Sequence, residues 1–230
     1  MMFVQQFFDS RDAVVDALAD RIAGQLSRAI AHRGSASLVV SGGSSPLAVF
    51  NRLAQHPLDW RQVTVLPSDE RWVDDTDPAS NAAMIRRELL QGLAAEARFV
   101  SLFDDQVDYD QADKIMSDRI SAVQRPFDYV LLGMGSDGHT ASLFPDAPDI
   151  EQSLSARQAC VLAAPPSQSQ RRISLTPSAL LDAYQIGILF FGQDKADVFA
   201  AASSDGDLRE YPIRSVLRQE RVPVTTYFAL

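Results

Sequence analysis

The chain has 230 residues, 46% of them hydrophobic, and carries 21 basic against 30 acidic side chains for a formal charge of −9. That balance excludes general binding to nucleic acid or to an anionic membrane, yet leaves room for a local basic pocket around a phosphate. A single cysteine, Cys160, excludes an intramolecular disulfide and reads as a buried small residue in a reducing compartment.

No linker divides the sequence, and residues 1–230 are expected to form a single α/β domain. The opening MMFVQQFFDSRD lacks a basic region followed by an apolar core, and no apolar run is long enough to cross a bilayer, so the cytoplasm is the expected compartment. Phe3 to Phe8 predicts a leading strand. Ser10 is then placed to cap a helix from Arg11 to His32, where Val14, Leu18, Ile22, Leu26 and Ile30 recur at helical spacing. Ser37 to Val40 is the next strand, and it runs into Ser41-Gly42-Gly43-Ser44-Ser45-Pro46 ahead of the helical pattern LAVFNRLAQ. Consecutive small residues expose backbone N–H groups, and a helix terminus adds favourable potential for an anion, so Gly42, Gly43, Ser44 and Ser45 outline a phosphate cradle. Ser45 is expected as the N-cap and Pro46 as the first helical residue.

Trp60 and Gln62 to Pro67 predict a strand that ends at Ser68-Asp69-Glu70-Arg71-Trp72-Val73. Two acids and an arginine in that place fit either a reactive cluster or a structural ion pair, and the spacing leaves both open. Asn81 follows an acidic loop and precedes a helix over Ala82 to Leu90. Phe99 to Leu102 reads as a strand, Asp104 to Asp110 as a solvated acidic stretch, and Tyr109 to Val123 as a helix.

Phe127 to Leu132 is the apolar run of a buried central strand, and it stops at the glycine-rich turn GMGSDGHTASLFP, residues 133–145. In an open parallel sheet, ligands gather beyond the carboxyl ends of the strands. Glycines let N–H groups approach an anion or an oxygenated substrate, and His139 is a side chain able to exchange a proton near neutral pH. Thr140 to Phe144 is expected to start a helix before Pro145. The three glycines fit GxGxxG, but they lie past the middle of the chain with no ribose-binding acid at the usual distance, so no dinucleotide is expected. Ala159 to Ala163 then predicts a strand, Pro177 to Ala183 a helix, Ile186 to Phe191 a strand, and residues 196–202 a helix. Between these elements stand Arg171 and Arg172, whose separate roles the spacing does not resolve, and Lys195, which fits a phosphate counter-ion or a solvated cation equally. Strands and helices alternate, which predicts a mostly parallel sheet flanked by helices.

Taken together, SGGSSP at 41–46, SDERWV at 68–73, Asn81, GMGSDGHTASLFP at 133–145, RRISLT at 171–176 and GQDK at 192–195 resemble the 6-phosphogluconolactonase family over nearly the whole chain. The resemblance implies a modified Rossmann-like open sheet related to sugar-phosphate isomerase and deaminase folds. It also implies a cytosolic role in the pentose phosphate pathway, the hydrolysis of 6-phospho-D-glucono-1,5-lactone to 6-phosphogluconate. The expected partner is therefore a phosphorylated sugar lactone, with no cofactor. Ser45 stands where many relatives carry threonine, and both are small hydroxylated residues.

The resemblance makes Gly42, Gly43 and Ser44, with Arg172 and Lys195, candidates to hold the 6-phosphate. Asp69, Arg71 and His139 become candidates at the lactone end. His139 would take a proton from the attacking water, backbone donors or Arg71 would face the oxyanion, and Asp137 would orient His139. Three histidines and one cysteine compose no persuasive zinc set, so no metal is expected, and Ser142 lacks the Gly-x-Ser-x-Gly elbow of a nucleophile. A related deaminase or isomerase would share the scaffold, but the Asn-Glu-Pro continuation of its loop is absent after His139. A silent sugar-phosphate binder would keep recognition without turnover, and the retained His139 argues against it.

Overall fold

In the computed structural model, which describes residues 3–230, the chain opens with strand β1 (Phe3–Phe7) and helix α1 (Arg11–Arg33). Ser10 caps α1 by accepting a hydrogen bond from the Ala13 N–H at 3.2 Å, and Gly34 ends it in the left-handed conformation at φ 75°. Because the Ser10 hydroxyl serves one of the unpaired N–H groups of that helix start, Ser10→Ala is expected to lower stability by about 1 kcal/mol, read as a shifted midpoint in urea unfolding.

Strand β2 (Ala36–Val40), helix α2 (Leu47–Leu53), strands β3 (Val63–Pro67) and β4 (Asp69–Arg71), helix α3 (Asn81–Glu88) and strand β5 (Arg98–Phe99) follow. Helix α4 (Tyr109–Ser121) leads to strand β6 (Tyr129–Gly133), and helix α5 (Ile150–Ser155) to strands β7 (Cys160–Ala163) and β8 (Arg172–Leu175). Helix α6 (Pro177–Leu180), strand β9 (Ile186–Phe191), helices α7 (Gln193–Ser203) and α8 (Arg214–Leu217) and strand β10 (Val224–Ala229) complete the order.

Seven strands form one sheet in the order β1-β10-β9-β6-β2-β3-β5, with every pairing parallel. Its central strands are nearly all apolar because both faces are covered, with Ser37 the buried polar residue in β2. Leu38, Val40, Tyr129 and Leu131 join one core with the buried stripe of α1, while Val39, Val130 and Leu132 join a second core with Met116 and Ile120 of α4. Among the described residues, no helix is long and apolar enough to cross a membrane.

The expected parallel α/β sheet is present, but four local expectations are corrected. Residues 69–71 and 172–175, read as loop and pre-helix segments, are strands: β4, β8 and β7 make a separate antiparallel sheet. Their pairing joins distant segments, so polar local composition conceals it. Pro46, not Ser45, occupies the N-cap of α2, because its carbonyl accepts the Phe50 N–H at 2.9 Å while the Ser45 side chain makes no cap. Residues 140–144 form a tight turn instead of a helix: the Thr140 hydroxyl donates to Gly133 O at 2.9 Å, the Leu143 N–H returns to Thr140 O, and Ala141 has φ 50°. Helix α6 stops at Leu180 rather than Ala183, since Ala183 bridges to Phe127 ahead of the sheet.

Candidate active site

From the neighbours β2 and β6, the chain builds the sheet outward in opposite directions, β2 toward β3 and β5, β6 toward β9 and β10. The loops leaving their carboxyl ends therefore diverge and leave a crevice at the switch point. Here it is a cleft of about 240 Å³. Residues 41–46 after β2, Gly133 at the end of β6 and Gly135 and His139 after it line the cleft, together with Asp69, Arg71, Asn81, Arg172 and Lys195. All the residues expected at the phosphate and lactone ends thus face one space, except Asp137, which stands behind His139.

The β6 loop holds its histidine from several sides. The Gly135 N–H donates to His139 O at 2.9 Å, the Gly138 N–H donates to Gly135 O at 3.1 Å, and Gly138 takes φ 76° to turn the chain. That turn brings Asp137 back onto its neighbour: its Oδ1 accepts the His139 N–H at 3.1 Å and lies 2.6 Å from Nδ1. Phe144 stacks on the imidazole with ring centroids 4.1 Å apart. With a carboxylate as its partner, Nδ1 carries the hydrogen and Nε2 is left as an acceptor. Burial works against ionisation of Asp137, but the hydrogen bond and charge of His139 prevail and hold its carboxyl below the usual range. The arrangement leaves Nε2 of the ring directed to accept, with a carboxylate behind it.

In the β2 loop, Gly43 has φ 86°, and Gly42 is required by a close approach: a Cβ there would lie 2.1 Å from the Asn81 Oδ1. Asn81 in turn donates through Nδ2 to Asp69 O at 2.8 Å. Its position in the sequence marked it, but its task as a brace between loop and strand was not legible.

Arg71 and Arg172 face each other directly in the β4–β8 pairing, and the Nε of each is buried without a hydrogen-bond partner. Arg172 is 6% exposed; its Nη2 donates to Gln168 Oε1 at 2.7 Å, and its Nη1 lies 3.9 Å from Asp69 Oδ2. Burial draws the Arg172 pKa down, against the charge of Asp69, and Arg71 adds to the fall. Arg171 points elsewhere, exposed over the Tyr109 ring at 5.0 Å, which separates the two adjacent arginines. Lys195 lies in the first turn of α7, where burial lowers its pKa and Asp137 opposes the fall.

Asp69 lines the cleft, but both of its carboxylate oxygens are engaged: Oδ1 accepts from the Ser68 hydroxyl at 3.0 Å and Oδ2 from the Ser142 hydroxyl at 2.6 Å. Of the two readings of its segment, the geometry favours a charge that supports Arg172. Glu70, weighed only as one acid of its cluster, and Ser142, set aside as a nucleophile, are contributors to which the sequence assigned no site role. Glu70 is wholly buried at the start of α3, and burial pushes its carboxyl up to about 7 against the N–H groups of Asn81, Ala82 and Arg71. A signal existed: α3 has no acidic residue in its first turn, so an acid from elsewhere was free to serve its N-terminus.

A family model described as Glucosamine-6-phosphate isomerases/6-phosphogluconolactonase matches residues 9–225. A 6-phosphogluconolactonase of Rhizobium meliloti (strain 1021) is 40% identical over 224 residues, covering 96% of this chain and 97% of its own. The crystal structure of a 6-phosphogluconolactonase from Shewanella baltica OS155 is similar with a TM-score of 0.97 and 38% identity, covering 99% of this chain and 98% of that one. A monomeric glucosamine-6-phosphate deaminase has a TM-score of 0.81 at 16% identity over 100% of this chain and 97% of its own, a likeness of fold.

Proposed function

The chain belongs to the glucosamine-6-phosphate isomerase and 6-phosphogluconolactonase family, and from that premise we propose how its cleft hydrolyses 6-phosphogluconolactone to 6-phosphogluconate. The observation that carries the reading is one cleft holding both a histidine–aspartate dyad and three cations. We read residues 1–230 as one catalytic domain working in the cytoplasm on the 1,5-lactone.

The 6-phosphate binds the N–H groups of the Gly42 to Ser45 loop with Arg172 and Lys195 around it. Two guanidiniums on facing strand positions repel each other until an anion lies between or beside them. The substrate supplies its phosphate permanently and an oxyanion transiently, and Arg71 faces the latter. His139 Nε2 takes a proton from water as the water oxygen bonds to C1. The carbonyl π electrons move to oxygen, giving a tetrahedral intermediate whose charge Arg71 and nearby N–H groups stabilise. When the carbonyl re-forms, the bond from C1 to the ring oxygen breaks, and the imidazolium returns its proton to that oxygen. The new carboxylic acid loses its proton to solvent. Throughout, Asp137 keeps Nδ1 protonated and offsets the positive charge on the ring.

Lactone hydrolysis corrected for spontaneous opening tests the reading directly. Arg172→Ala and Lys195→Ala are each expected to weaken kcat/KM for the phosphorylated lactone by about 10–100-fold, the worth of a charge-assisted hydrogen bond, with far smaller loss on the unphosphorylated lactone. Equal losses on both substrates, in folded variants, remove these residues from the phosphate site.

A further inference from the structure

The Glu70 carboxylate gathers four donors. Its Oε1 accepts the N–H groups of Arg71 at 2.8 Å and Asn81 at 2.7 Å; its Oε2 accepts the Ala82 N–H at 2.6 Å and the Ser80 hydroxyl at 3.4 Å. These donors belong to two walls of the cleft. Arg71 is on β4, whereas Asn81 opens α3 and presses its carboxamide against Gly42 while binding Asp69 O. A carboxylate accepts from all four donors at once, whereas a carboxamide must turn a donor toward a backbone N–H, and a protonated carboxyl gives up one acceptor site together with the negative charge that draws the N–H groups in.

We propose that Glu70 is a positioning residue for substrate binding: as a carboxylate it sets the separation of Arg71 from the Gly42 loop, acting on the loop through Asn81. Protonation releases that separation. The charged groups that act on Glu70 are Asp69 on β4 and Arg172 on β8, while the Arg71 N–H and Ser80, Asn81 and Ala82 at α3 add uncharged donors. Both protonation states are populated near neutral pH, since burial pushes the carboxyl up to about 7. The inference rests on the lactonase reading, which the unmodified protein's hydrolysis above the spontaneous rate tests separately.

The experiment measures KM, kcat and the pH profile of Glu70→Gln, Glu70→Asp and Asn81→Ala, with folding checked by circular dichroism and urea unfolding. Glu70→Gln is expected to raise KM about 10-fold through the Gly42 loop and to lower kcat by no more than about 10-fold through Arg71, which faces the oxyanion, well short of the loss on removing the base. Toward acid, log kcat/KM of the parent approaches the slope of two required deprotonations, those of Glu70 and the base; the glutamine variant approaches the slope of one. Asn81→Ala raises KM and keeps the parent slope, and Glu70→Asp also keeps it. A folded glutamine variant with parental KM and slope overturns the proposal. If that variant does not fold, parental KM in Asn81→Ala overturns it instead, and raised KM with unchanged slope sustains it.

Discussion

His139→Ala is expected to lower kcat for lactone hydrolysis by about 10²–10⁴-fold while leaving binding of the phosphorylated product close to that of the parent. The imidazole is the group in the cleft with a free acceptor nitrogen and a carboxylate behind it, at 2.6 Å from Nδ1. Removing it leaves Arg172 and Lys195 in place, so the phosphate grip survives. His139→Asn fails equally, because a carboxamide accepts a hydrogen bond but does not take up a proton at this pH. The measurement is saturating turnover, corrected for spontaneous opening, beside direct titration with 6-phosphogluconate. Near-parental kcat in both variants assigns proton removal elsewhere. Asp69 is then the next carboxylate in the cleft, with the Ser68 and Ser142 hydroxyls each donating to one of its oxygens.

Much of this was legible in the sequence because the information is local. Apolar runs at 36–40, 129–133 and 186–191 announce strands buried on both faces, and the small residues following two of them announce loops at carboxyl ends. What local pattern conceals is pairing across the chain. Asp69–Arg71 is a strand because Arg172–Leu175 supplies its hydrogen bonds, and Arg172–Leu175 is held between it and Cys160–Ala163; that register, Arg71 opposite Arg172, puts two cations side by side. The same limit hid Glu70, whose partners at 80–82 lie on another element. Asp137 and His139 were visible as neighbours, but their contact depends on the left-handed turn at Gly138.

Gly135→Ala is expected to lower kcat by about 10²-fold in a protein that remains folded, the cost of misplacing a catalytic group by about 1 Å. The reason is steric. A Cβ at Gly135 would stand 2.2 Å from His139 Nδ1, 2.3 Å from Cε1 and 2.5 Å from Asp137 Oδ1, so the added methyl displaces the dyad itself. Phe144 stacks on the imidazole at 4.1 Å and resists the movement on that side. Gly43→Ala supplies the contrast: at φ 86° with nothing within 4 Å of the new Cβ, it carries a backbone cost of about 1–2 kcal/mol and touches neither member of the dyad. Gly135→Ala should therefore lose turnover with little change in binding of 6-phosphogluconate, whereas Gly43→Ala should lose stability and binding before turnover. Urea unfolding, product titration and saturating kcat on the two variants separate these outcomes. Parental kcat in Gly135→Ala means that the imidazole works from a position other than the one Asp137 holds.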